Sequence, residues 1–428
     1  MITQKIKQIW SSRDIRNDIL FVLMIFVIFR FLAHVPVPGV DISGLQAQLN
    51  SNQILGLLNI LTGGGLENFS VVMLGVGPYI TSSIIFQLLG MIVPKFEEMQ
   101  KEGEQGRQKI NQWTRLATIP FAILQSYGTI IFLQRSSGGG GEALLGSFNS
   151  GQLVTVMLTV TAGTVFLMWL GELISERKVG NGISLMIFAG IVSGLPTALL
   201  QMFSTYDQSQ LINVILFAII AVVTVAGVVF ITEGQRNIPV TYSKFARGNS
   251  LSGGVQSHLP IRVNQSGVIP IIFAISIVLF PPMIAQFFVR STVTWLAQFA
   301  DFVIQIFNNQ LFYGIFYFIL VFAFTYFYTA VIFKPDQISE NLQKQGGFIP
   351  GIRPGNETSN YLALVSNRIL LAGAMFLGVI AVLPLVLQNF TGTNLIIGGT
   401  SLLIIVSVVI ETVKQINSQL VMRDYEKF

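Results

Sequence analysis

The sequence contains no cysteine, which excludes disulfide bridges, thiol catalysis and cysteine-ligated metal or iron–sulfur centres. Histidine is almost as scarce, with His34 and His258 alone and no H-E-x-x-H pairing, so a histidine-built zinc hydrolase is excluded as well. No G-x-x-x-x-G-K-[ST] loop is present to cradle nucleotide phosphates, so energy for any work must come from outside the chain. Charge is sparse: Asp, Glu, Lys and Arg supply 11% of the 428 residues, less than half of an ordinary soluble surface. No cofactor and no enzymatic activity are expected.

What fills the sequence instead is apolar. Hydrophobic residues make up 52% of it, gathered into ten runs of the length a hydrocarbon core of about 30 Å demands of a helix. The runs extend over 19–35, 71–93, 116–134, 152–174, 183–203, 211–232, 267–289, 311–333, 369–390 and 394–413. The first follows a polar start and outlasts a signal-peptide core, so it is expected to remain as a membrane helix. An all-α membrane protein of ten transmembrane helices follows.

Basic residues are distributed unevenly. The segments 1–18, 95–115, 176–182, 233–266, 334–368 and 414–428 hold 22 of the 25 Lys and Arg residues, leaving Arg30, Arg135 and Arg290 elsewhere. Basic residues near span ends stay on the cytoplasmic side, so both termini are expected there. That basic face suits anionic lipid, RNA or an acidic protein, although topology alone also accounts for it. The polar loop Ser204 to Gln210 divides the spans five and five. The halves, 1–203 and 204–428, can then be related by an inverted repeat, since an odd count reverses the second half.

Two cytoplasmic loops, 233–266 and 334–368, are longer than a helix connection needs. In the first, Ile238, Val240 and Tyr242 alternate, then Leu259, Ile261 and Val263, across the Gly/Ser-rich 248–254, which predicts a protruding β-hairpin. The second opens with a helix-like stretch, Pro335 to Gln345. It then turns through a Gly- and Pro-rich run from Gly346 to Gly355 that fixes a shaped loop displaying Arg353. The segment Ile54 to Ser70 is apolar but too short to span. It reads either as a re-entrant helix inside a water-lined funnel or as an amphipathic surface helix.

The span interiors hold one ionisable group, Arg30, explained by snorkelling or a buried structural contact. Glu172 and Glu411 lie near span ends and are expected to face water. Gly190 and Gly194 form a small-xxx-small pair suited to close helix approach. Ile80 and Ile84 share one helical face, as do Ile187 and Ile191; by spacing alone, lipid, core and pore remain open for them.

Several stretches nonetheless resemble one family closely. They are Val35-Pro36-Val37-Pro38-Gly39, Gly77-Pro78-Tyr79-Ile80, Lys101 to Arg107, Gly180 to Ser184, His258 to Asn264, Gly347 to Gly355 and Gly398 to Leu403. In that order they are similar to the SecY/Sec61-alpha family and cover nearly the whole chain. The resemblance implies a protein-conducting channel that passes unfolded secretory polypeptides and releases membrane segments sideways through a lateral gate. It implies an hourglass pore ringed by Ile80, Ile84, Ile187, Ile191, Ile272 and Ile404. A plug helix is implied at 57–69, including Leu57, Leu58, Asn59, Ile60, Leu61, Thr62, Gly63, Gly64, Gly65 and Leu66. A polar gate cluster would match Asn264 and Gln125, with Gln87 nearby. Gly90 stands where the family often has a hydroxyl, implying a weaker cluster. Lys244, Arg247 and Arg353 would dock the SecA motor or the ribosome, with a solvated charged loop as the bland alternative for the first two. Implied partners are SecE and SecG subunits, SecA, the ribosome, secretory preproteins with their signal sequences, membrane lipids, and YidC and SecDF, at the bacterial cytoplasmic membrane. Competing readings are a secondary transporter, which needs a buried ion-coordinating site, and an intramembrane enzyme, which needs a nucleophile and base.

Overall fold

The computed structural model describes residues 2–38, 59, 62–135, 149–204, 211–242, 245–247, 250–252, 256–289, 293–391 and 399–426. Helices dominate. A short helix α1 (Ile2–Ser11) leads into α2 (Arg13–Ala33), whose uncharged stretch lies between Asp18 and Arg30. Then come α3 (Gly77–Ile92), α4 (Pro94–Lys101), α5 (Glu104–Arg135), α6 (Ser150–Glu176), α7 (Gly182–Ser204) and α8 (Leu211–Glu233). Among the described residues, five helices are long and apolar enough to cross a membrane, or six if α3 and α4, bent by 102° at Val93, form one broken span. Shorter apolar helices lie within α7, α8 and α9 (Ile269–Phe288).

The second span starts later than its hydropathy suggests. Val71 to Val76 forms turns, with Gly75 at φ 55°, and the helix begins only where Pro78 supplies a preset φ in the first turn. Composition reports that a segment is apolar, but backbone signals decide where it becomes helical. The third helix errs the other way, since α5 starts at Glu104, well before the apolar run at 116.

The expected hairpin is present. Strand β1 (Gln235–Tyr242) pairs antiparallel with β4 (Gln256–Arg262), placing Ile238 opposite Leu259 and Val240 opposite Ser257. A smaller ladder, β2 (Phe245–Arg247) with β3 (Ser250–Ser252), extends beyond it. After α9 follow α10 (Thr294–Asn308), α11 (Gln310–Ile332), α12 (Pro335–Lys344) and β5 (Gly347–Phe348), which joins the free edge of β1. Two long helices, α13 (Asn356–Thr391) and α14 (Gly399–Glu426), close the chain. The sheet buries Ile238, Val240 and Ile261 against Leu342 of α12, Ile349, and Leu362 and Val365 of α13. It is therefore fastened to the helical bundle through apolar contact rather than held by its turn alone.

Two further apolar clusters organise the bundle. The larger takes residues from α2, α3, α6, α7, α8, α9, α11, α13 and α14. The smaller gathers Leu66, Phe69, Met73 and Leu74 against Ile130 and Leu133 of α5 and Val156 and Val160 of α6.

Candidate functional site

The six isoleucines singled out by resemblance come from four helices: Ile80 and Ile84 from α3, Ile187 and Ile191 from α7, Ile272 from α9 and Ile404 from α14. All are buried, none more than 6% exposed, and all belong to the same apolar cluster. Four-residue spacing is what lets α3 and α7 each aim two of them in one direction. The six offer aliphatic surface, in a cluster that also takes in Tyr313 and Tyr317.

Against α7 lies the segment expected as a plug helix. From Thr62 to Phe69 the described chain is instead a string of turns, with Gly63 and Gly64 at φ 69° and 80° and Phe69 at φ 43°. Left-handed backbone at three of eight positions is incompatible with a continued helix, so the helix expectation is corrected there. Leu57, Leu58, Ile60 and Leu61 lie outside the described residues. The turn is tied internally, Gly64 N–H donating to the Asn59 carbonyl at 2.9 Å and Glu67 N–H to Asn59 Oδ1 at 3.1 Å. Behind it, Val37 and Val71 bond across to Phe69 and Val35 at 3.0 Å, so the Val35–Pro38 motif pairs with the stretch following the turn.

Besides Leu66 and Phe69, which pack on α5 and α6, the turn meets the bundle at Gly63. A Cβ placed on Gly190 would stand 2.5 Å from Gly63 Cα, and one on Gly63 would stand 2.6 Å from the Phe29 ring. Arg30 donates from Nη1 to the Gly63 carbonyl at 3.3 Å, a structural contact rather than snorkelling. The small-xxx-small reading of Gly190 and Gly194 is corrected accordingly. Gly190 receives a turn and not a helix, while Gly194 has open space where its Cβ would be.

The polar gate residues are not joined to one another by their hydrogen bonds. Gln125 Nε2 donates to Thr81 Oγ1 at 3.2 Å, tying α5 to α3. Gln87 bonds Ser83 within α3 at 3.0 Å. Buried Asn264 donates to the Gly267 carbonyl at 3.1 Å and accepts from Ser266 Oγ, shaping the entry to α9. Helix α9 packs on both α3 and α5. Gly90 lies beside α4, and a Cβ there would stand 2.1 Å from Gln100 Nε2. A side chain at 90 would meet only the far end of the flexible Gln100 side chain, which can move aside.

At the sheet end, Arg353 is exposed on a loop that is firmly held. Thr358 Oγ1 donates to the Arg353 carbonyl at 2.9 Å, Ser339 Oγ to the Gly355 carbonyl at 2.6 Å, and Ser359 Oγ to Asp336 Oδ1 at 2.5 Å. Arg247 lies in β2, and Lys244 lies outside the described residues. Ion pairs brace this end of the bundle: Arg115 with Glu172, Arg177 with Asp18 at 3.3 Å, and Lys414 with Glu233 at 2.9 Å. Glu172 is thus a paired group and not simply a water-facing one. Sequence reasoning missed these pairs, as well as the turn's seat on Gly190, because partners distant in the chain leave no local signal.

A helical bundle with five or six helices long and apolar enough to cross a membrane, among the described residues, defines a multi-pass helical membrane protein. The chain belongs to the SecY family, whose profile matches residues 70–413. It is 42% identical over 427 residues to the protein translocase subunit SecY of Bacillus licheniformis, covering 97% of each chain. The protein of the same name from Bacillus subtilis is 42% identical over 426 residues, covering 97% of this chain and 96% of the relative. Among solved structures it resembles one described as a protein conducting channel, with TM-score 0.63 and 18% identity, covering 93% of this chain and 91% of the other. A structure of Sec61 in the canine ribosome–channel complex from the endoplasmic reticulum gives TM-score 0.59 at 17% identity, with the same coverage of both chains.

Proposed function

We propose that this chain is the pore subunit of a protein translocase, conducting unfolded secretory polypeptide through the isoleucine centre and performing no catalysis itself. The observation carrying this reading is the convergence of Ile80, Ile84, Ile187, Ile191, Ile272 and Ile404 from four helices into one buried cluster. A narrow aliphatic ring resists wetting and so blocks ions, yet its flexible side chains close around a passing chain. The Gly63 turn is the plug, seated on Gly190 and held by Arg30. The seam between α9 and the α3–α5 pair is the lateral gate for signal sequences, with α11 on the α9 side and Gln87, Gln125 and Asn264 lining it.

Ten spans run in α2, α3, α5, α6, α7, α8, α9, α11, α13 and α14, in two halves at 1–203 and 204–428, with both termini cytoplasmic in a bacterial cytoplasmic membrane. The basic ends of the spans support that orientation. Arg353 and Arg247, with Lys244, are contacts for SecA or the ribosome; the curated relatives' name and the ribosome-bound Sec61 neighbour support such partners. SecE and SecG subunits complete the complex. The transporter and enzyme readings fall away with the family assignment.

The test is a photo-crosslinker placed at position 191, with a precursor stalled midway. Crosslinks along the successive residues of the precursor that occupy the channel are expected from 191, and from an exposed control at 319 only with a membrane segment. Crosslinking of the stalled precursor from 319 and none from 191 would place the path outside the isoleucine cluster.

A further inference from the structure

Helix α10 has 15 residues, reaching about 22 Å against the roughly 30 Å of a hydrocarbon core, so it cannot be a span. Its side chains divide into three arcs at about 100° per residue. One faces the protein: Ala300 is buried, and the Phe307 ring packs on Phe312 and Phe316 of α11 at 5.6 and 5.5 Å. A second is polar and exposed, formed by Gln298, Asp301 and Gln305. The third is apolar yet exposed, with Trp295 at 69%, Phe299 at 60% and Phe302 at 58%.

A helix lying on a protein in water needs two faces, one for each medium. Three faces call for three media, and the apolar exposed arc requires one that is neither water nor this protein. The helix breaks at Asn309, whose backbone is extended and whose side chain accepts from the Leu311 and Phe312 amides to start α11. The exposed apolar surface then continues along α11 through Leu311, Ile315 and Ile319, on a helix long and apolar enough to span. Lipid covers that surface of α11, and the arc of α10 is continuous with it.

We infer that α10 lies in the plane of the bilayer, with Trp295, Phe299 and Phe302 inserted at the boundary between headgroups and acyl chains and Asp301 in water. Because one helix, α9, separates it from the sheet, α10 occupies the opposite membrane face and fixes the depth at which α9 and α11 end. The helix carries no Lys or Arg, so its partner is the apolar boundary of any phospholipid leaflet and not an anionic headgroup. This rests on the chain being membrane-embedded and not on the translocation reading.

The test uses the full chain with its co-purifying subunits in phosphatidylcholine vesicles. Replacing Trp10, Trp113 and Trp169 with Phe leaves Trp295 as the sole indole of this chain, and the same variant with Trp295→Phe added supplies the background of the other subunits to subtract. Insertion of about 5–10 Å predicts quenching by lipids brominated at carbons 6 and 7 that is roughly twofold stronger than at carbons 11 and 12. Protection from iodide and an unchanged profile in anionic vesicles are expected. Quenching by iodide without lipid quenching would put the arc in water; quenching by neither would put it against another protein, and both overturn the inference. Should the triple variant fail to fold, Trp295→Phe in the native background must remove part of the shallow-quenched fluorescence, and an unchanged depth profile counts against the inference equally.

Discussion

Replacing Gly190 with alanine puts one methyl group between the plug turn and its seat. The added carbon would stand 2.5 Å from Gly63 Cα and 3.2 Å from its nitrogen, both backbone atoms that cannot rotate aside. The seated state therefore gives way, by shifting the turn outward, while the unseated state accepts the methyl freely. Overpacking of this kind costs about 1–3 kcal/mol, which raises the unseated fraction about 5- to 150-fold. In proteoliposomes loaded with a chloride-quenched dye, the resting leak should rise, by at most that factor because the isoleucine ring still stands in series with the unseated turn. Gly194→Ala is the matched control, one turn further along α7 with nothing within 4 Å of the new carbon, and it should leave the leak unchanged. Equal leak from Gly190→Ala, Gly194→Ala and the parent would refute the seat.

Three other perturbations separate the remaining parts of the account. Asn309→Ala strips the acceptor from two amides at the start of α11, so thermal unfolding should show a loss of about 0.5–2 kcal/mol. Ser359→Ala breaks the 2.5 Å bond to Asp336; amide exchange should quicken in 346–355 and stay constant in the helices, and an unaltered loop would mean that the bond does not hold it. Arg353→Glu reverses an exposed charge without touching the bundle, so motor-driven translocation should fall at least tenfold while the channel's resting conductance stays at the parent level.

The platform was the most legible part of the sequence. Alternation at Ile238, Val240 and Tyr242 and again at Leu259 and Ile261 predicted the hairpin of β1 and β4, though not its register, and the Pro335 stretch predicted α12, because both signals are local. The isoleucine cluster was accessible only through resemblance, since an isoleucine in a membrane helix has the same spacing whether it meets lipid, protein or a pore. Helix ends were misplaced where hydropathy and backbone preference part: Val71 to Val76 is apolar but turned, and α4 is helical but polar. Glycines were the hardest to read. Gly190 suggested a helix partner, and its actual neighbour, Gly63, depends on tertiary placement.

On the proposed reading the seal combines two barriers in series, an aliphatic ring that excludes water and a turn seated by the Gly63–Gly190 contact, the Arg30 hydrogen bond and the burial of Leu66 and Phe69. Neither is strong alone, which suits a channel that must open for a signal sequence and close behind its cargo. The most direct test is ion conductance across planar bilayers, comparing the purified complex with a variant lacking residues 57–69, each with and without a signal peptide. A large, weakly selective current on deleting the segment or adding the peptide is predicted. Silence under both conditions would contradict the plugged-pore account.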